Sequence, residues 1–172
     1  CTLVVSCGSS SGGSSPAGSS DAAVRNVDAA AASGPTALTG TLGALGAIQP
    51  IVSSLVISNS GETLVYLSSG ALTCDQLTTS RWLGGTAAGS QVVEIVVSGP
   101  AKLGAASDPE VNYAPGGKSS SYEENADTAS VTFTKSEPMG VVEGFVDATY
   151  ASPTGSLTGH FHAEYCANGQ DY

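Results

Sequence analysis

Ile51-Val-Ser-Ser-Leu-Val-Ile57 is followed by Asn59-Ser60-Gly61 and then by Glu62-Thr-Leu-Val-Tyr-Leu67. Two apolar runs rich in β-branched residues thus flank a triplet of turn formers. Side chains alternate across a strand, so Leu64 and Tyr66 share one side of the second run while Thr63, Val65 and Leu67 share the other. The pattern predicts an antiparallel hairpin, and a helical spacing of apolar residues is hard to find around it.

Working outward, runs of the same kind recur between clusters of Gly, Ser, Asn and Pro. Leu38–Leu45 precedes the hairpin. Gln91–Val97 reads QVVEIVV, nearly unbroken, which suits a strand buried on both faces with Glu94 as its awkward residue. Val111–Ala114, Ser130–Thr134, Val141–Tyr150 and Ser156–Tyr165 follow, the last two joined into a hairpin at Ser152-Pro153-Thr154-Gly155. One stretch, Cys74 to Leu83, has helical spacing, with Leu77 and Arg81 one turn apart and Gly84-Gly85 as a stop. Its Trp82 is expected to plug one end of the sheet core. The fold expected is all-β: a disulfide-linked β-sandwich, or flattened barrel, of about eight strands with one short helix.

Length allows one substantial core, because 172 residues make one ordinary domain plus a tail. The Ser/Gly/Ala-rich stretch before Ala37 carries no apolar face, so residues 1–36 are read as a tether and 37–172 as the domain. Five Lys and Arg stand against fifteen Asp and Glu, a formal charge of −10. Such a chain is repelled by phosphate backbones and anionic lipid, which excludes nucleic acid as a partner.

The N-terminus reads CTLVVSCGSSSGGSSPAGSS. Val4-Val5-Ser6-Cys7 resembles a lipobox, followed by a polar leash from Gly8 to Ser20 built only of Gly, Ser, Pro and Ala. The leash after it favours Cys7 as the acylated residue, whereas the numbering favours Cys1. Thr2–Val5 also reads as a short strand able to pair with another subunit. Cys74 and Cys166 both lie in segments that read as folded, so an oxidising compartment would join them across a long loop.

Taken in order, the lipobox and leash, the Thr39-Gly-Thr-Leu-Gly43 opening, Tyr66-Leu-Ser-Ser69 before a Cys74-containing helix, and the closing Gly159-His-Phe-His-Ala-Glu-Tyr-Cys166 form a recognisable series. The series resembles a group of uncharacterised exported bacterial lipoproteins of the myxobacterial type, over roughly residues 37–168. That resemblance implies an exported β-sandwich with a Cys74–Cys166 bridge, and no reaction.

Both histidines fall in the last run. In a strand His160, His162 and Glu164 share one face and Phe161, Ala163 and Tyr165 the other. Two imidazoles and one carboxylate form a ligand set known for Zn²⁺, so this trio is the candidate metal site, with a solvated strand face as the plainer expectation. Asp108 and Glu110, with Glu123, Glu124, Asn125 and Asp127, offer oxygens to Ca²⁺ without EF-hand spacing. No G-x-S-x-G elbow, P-loop, dinucleotide fingerprint or C-x-x-C-H site occurs, and no cofactor or catalytic residue is assigned. The expectation is a non-catalytic exported lipoprotein at the bacterial outer membrane or cell surface, partnered by the membrane through its lipid anchor. Self-association, as the repeating subunit of an extracellular assembly joined by strand addition, and other surface proteins are the further partners considered.

Overall fold

The computed structural model of the chain describes residues 34–59, 61–79, 88–117 and 124–166. Among the described residues there are ten strands: β1 (Ala37–Thr41), β2 (Ser53–Asn59), β3 (Glu62–Ser68), β4 (Gln91–Ser98), β5 (Gly104–Ala105), β6 (Glu110–Pro115), β7 (Glu124–Asn125), β8 (Thr128–Ser136), β9 (Val141–Ala151) and β10 (Thr154–Tyr165). One α-helix among the described residues, α1 (Cys74–Thr79), lies between β3 and β4. The strands join in the order β5-β8-β9-β10-β2-β3-β4-β6-β7, with β1 also on β10. All eight expected strands are there, and the two additions, β5 and β7, are two residues each. The all-β class with one short helix therefore holds.

Among the described residues every strand pair is antiparallel except one. β10 meets β2 in parallel over Glu164↔Leu55 and Tyr165↔Val56, extended by the Cys166 N–H, which donates to the Val56 carbonyl at 2.9 Å. This short seam joins a β5-β8-β9-β10-β1 half to a β2-β3-β4-β6-β7 half, and the sheet curls so that the two halves face one another. Val65, Leu67, Val93, Ile95 and Val111 from one half pack with Val131, Phe133, Val146, Leu157 and Phe161 from the other in one buried cluster. Phe133 and Phe161 meet edge-to-face at 5.9 Å, a geometry favoured by the ring quadrupoles.

The unbroken apolar runs of β3 and β4 follow from a second layer. The outer face of the β2-β3-β4-β6 half, with Ile57, Leu64, Tyr66, Val92 and Ala114, is covered by Leu72, Leu77 of α1 and Cys166. Both faces of β3 and β4 are thus removed from water, and alternation is lost because there is no solvent side to alternate with. Glu94 sits buried on this covered face, its carboxylate receiving the Asn112 amide at 3.3 Å. Cys74 and Cys166 form a disulfide, which staples the start of α1 to the end of β10. Trp82, Arg81 and Gly84-Gly85 lie outside the described residues.

The first strand stops earlier than expected. Leu38–Leu45 divides into β1 and a 3-10 turn over Gly43–Leu45, because Gly43 and Gly46 take positive φ and the Leu42 N–H donates to the Gly46 carbonyl. Leu42 is thereby turned into the core, fully buried. β1 lies close on β10: a Cβ at Gly40, where φ is +133°, would stand 2.0 Å from the Ser156 carbonyl oxygen. Only glycine fits that approach. β1 covers residues 156–160 of β10 and β2 covers 164–165, and the Thr36 hydroxyl fills the gap between them. It accepts from the His162 N–H at 3.0 Å and lies 2.9 Å from the His162 carbonyl oxygen. Thr36, read as tether from composition, is therefore bonded into the domain.

Candidate functional site

The two halves differ on their outer faces. Among the described residues nothing is packed over the outer face of β8, β9, β10 and β1, and its side chains fall in cross-strand rows set by the register. Thr128, Thr149, Ser156 and Thr41 make the first row, and Ser130, Asp147, Thr158 and Thr39 the second. All eight are exposed. Thr132, Phe145, His160 and Ala37 make the third, and Lys135, Glu143 and His162 the fourth. Hydroxyls thus occupy one end of this face, with an aromatic–imidazole pair and an ionic cluster at the other.

The ionic end is built around Glu143. This carboxylate comes from β9, directly opposite His162, and its side chain is about nine-tenths buried. His162 Nδ1 lies 3.0 Å from Glu143 Oε1, His160 Nε2 lies 4.0 Å from Oε2, and Lys135 Nζ lies 3.9 Å from Oε1. Lys135 also pairs with Glu137 at 3.1 Å on the exposed side. The His160 ring packs against Phe145 edge-to-face at 5.4 Å. Its Nε2 is buried with no hydrogen-bond partner, since 4.0 Å is beyond hydrogen-bond reach.

The candidate metal trio is accordingly rearranged. His160 and His162 come together, but the carboxylate between them is Glu143. Glu164 is exposed and opposite Val141. No group of three His, Cys, Asp or Glu side chains among the described residues is placed to hold a metal ion. A cation bound to Glu143 would also be repelled by the Lys135 ammonium, 3.9 Å from Oε1. The turn read from the sequence, Ser152 to Gly155, does not place Glu143 opposite His162; in the structure Thr154 already pairs with Ala151. A two-residue turn at Ser152-Pro153 fixes the β9–β10 register, and counting back from it sets residue 162 opposite residue 143.

The other expected site residues are dispersed. Asp108 and Glu110 are exposed, and the Asp127 carboxylate accepts the Ala151 N–H, tying the loop before β8 to the end of β9. Glu124 and Asn125 belong to β7, while Glu123, Cys1 and Cys7 lie outside the described residues. A small cleft of about 180 Å³ between the ends of β4 and β8, lined by Val97, Pro100, Lys102, Ala106 and Phe133, brings no pair of reactive groups together. In the interior Tyr113 and Tyr150 meet edge-to-face at 5.0 Å. Burial, with the Tyr113 phenol next to it, pushes the Tyr150 hydroxyl well above the usual tyrosine range. Neither tyrosine is reachable from the open face, because both side chains point into the core. No family model matches this chain, and no curated protein or solved structure proved similar to it.

Proposed function

We propose that this chain is a non-catalytic, exported bacterial protein: a disulfide-stapled sheet domain held at a membrane surface by an acyl group on Cys7 or Cys1, with a binding face turned outward. The observation that carries the reading is the Cys74–Cys166 bridge, since disulfides persist in oxidising compartments and are rare where thiols are kept reduced. The lipobox-like Val4-Val5-Ser6-Cys7 and the Gly/Ser leash after it support it. A leash of about 30 residues lets the domain stand away from the bilayer and meet partners. The ionic cluster fits a binding and structural role, because Glu143 is held between two imidazoles and an ammonium and is not presented to a reacting atom.

The test is intact-mass and peptide analysis of the protein from its native source without reduction. The expected result is an acyl mass on the peptide containing Cys7 or Cys1, together with Cys74 and Cys166 resistant to alkylation. Four alkylatable thiols and an unmodified N-terminal peptide would refute the reading.

A further inference from the structure

We propose that the open face of β8, β9, β10 and β1 binds a neutral polysaccharide. The inference rests on the reading of the domain as an outward-facing binding module and names the ligand class of that face.

The argument starts from what an exposed sheet face ordinarily carries. Solvated strand faces and edges are commonly kept soluble and monomeric by charged side chains. On this acidic chain the first two rows hold seven hydroxyls and one carboxylate, Asp147, all exposed. Hydroxyls both donate and accept, so an array of them matches a ligand whose own groups do the same at regular intervals. Neighbouring strands set its rows about 4.8 Å apart in one direction and about 6.8 Å in the other. Some of this capacity is used internally: Thr128 and Thr149 share a hydrogen bond at 2.6 Å, and the Thr39 hydroxyl donates to the Thr158 carbonyl at 3.3 Å. A hydroxyl has two acceptor sites, so each of these exposed groups keeps accepting capacity, and Asp147, between Ser130 and Thr158, adds acceptor oxygens in the middle of the array.

The adjoining row strengthens the assignment. Half-buried Phe145 offers an apolar plate beside the hydroxyls, suited to the C–H face of a sugar ring. Next to it His160 carries a ring nitrogen buried without a partner, an unspent polar group at the border of the same surface. Other ligand classes fit less well. An anionic polymer would meet Glu143, Asp147 and Glu164 with Lys135 as the sole Lys or Arg among the described residues of this face. An apolar peptide would find Phe145, Val141 and Ala37 set apart by polar side chains, and a strand adding to the sheet would use an edge and not a face.

The experiment is co-sedimentation of the full chain with insoluble cellulose, chitin and a β-1,3-glucan, with alginate as the anionic comparison. Expected is saturable retention on at least one neutral polymer that persists in high salt. It should weaken on the order of tenfold in Thr149→Lys and Thr158→Lys and stay unchanged in Leu103→Lys, an equal change of charge at a residue exposed elsewhere. Retention on none of the neutral polymers, equal retention by all variants, or salt-labile binding to alginate alone would overturn the proposal. So would concentration-dependent self-association abolished by the two threonine variants, since the face would then belong to a second copy. An acylated N-terminus found alongside any of these failures would leave the export reading intact and discard only the ligand.

Discussion

Reducing the Cys74–Cys166 bridge while leaving both sulfurs in place separates its effect on chain entropy from its effect on packing. The bridge closes a loop with a sequence separation of 92. In the chain-entropy account this removes about 15.6 cal/mol/K from the unfolded state, or about 4.6 kcal/mol at 25 °C. Such a value is a large share of the roughly 5–15 kcal/mol by which domains of this kind are held folded. With a urea slope of about 2 kcal/mol/M, the midpoint should fall by roughly 2.3 M on reduction, and at about 3 °C per kcal/mol the melting temperature should drop by about 14 °C. The loss should also have a place. α1 is stapled at its first residue, so without the bridge Leu72 and Leu77 are held over β3 and β4 by apolar contact and by the Leu72 N–H, which donates to Ser53 Oγ at 3.1 Å. Circular dichroism in urea with and without reductant gives the global value, and amide exchange over residues 72–77 gives the local one. A difference below about 1 kcal/mol, with unchanged exchange in α1, would refute the reasoning and show that the reduced, unfolded chain already keeps these ends together.

Two further outcomes follow from the interior. Gly40→Ala places a Cβ 2.0 Å from the Ser156 carbonyl oxygen at φ +133° and should lose about 2–4 kcal/mol in thermal unfolding. Gly61→Ala, at φ +84° with open space around it, should lose less, about 1 kcal/mol, and equal losses would contradict the close β1–β10 approach. Tyr150 has a buried hydroxyl without a hydrogen-bond partner, so Tyr150→Phe should lie within about 1 kcal/mol of the parent or above it at neutral pH. Because burial raises its folded-state pKa, the native protein retains a proton that the unfolded chain gives up near pH 10. Stability should therefore fall as pH rises through and beyond that value, and the fall should be shallower in Tyr150→Phe. Urea melts at pH 9 and pH 11 check this, and identical slopes would contradict it.

Much of the architecture was legible because β structure writes its period into local sequence. The Ile51–Leu67 hairpin, the doubly buried QVVEIVV of β4 and the closing β9–β10 pair are each set by alternation or its loss, and by turn residues a few positions away. The cysteine pair was readable for a similar reason, two thiols placed in segments already identified as folded. What the chain could not state locally was which residues meet across the sheet. Glu143 lies 19 positions from His162, and only the β9–β10 register makes it, and not neighbouring Glu164, the carboxylate between the imidazoles. The Thr36 clasp on His162, 126 positions away, and the single parallel contact of β10 with β2 depend on how the sheet closes on itself. That closure also leaves one outer face beneath α1 and the other open with its rows of hydroxyls. Local patterning determines which side of a strand is apolar, because burial of that side drives folding; the order of the strands decides what lies next to the polar side, because neighbours there are brought together by long-range pairing.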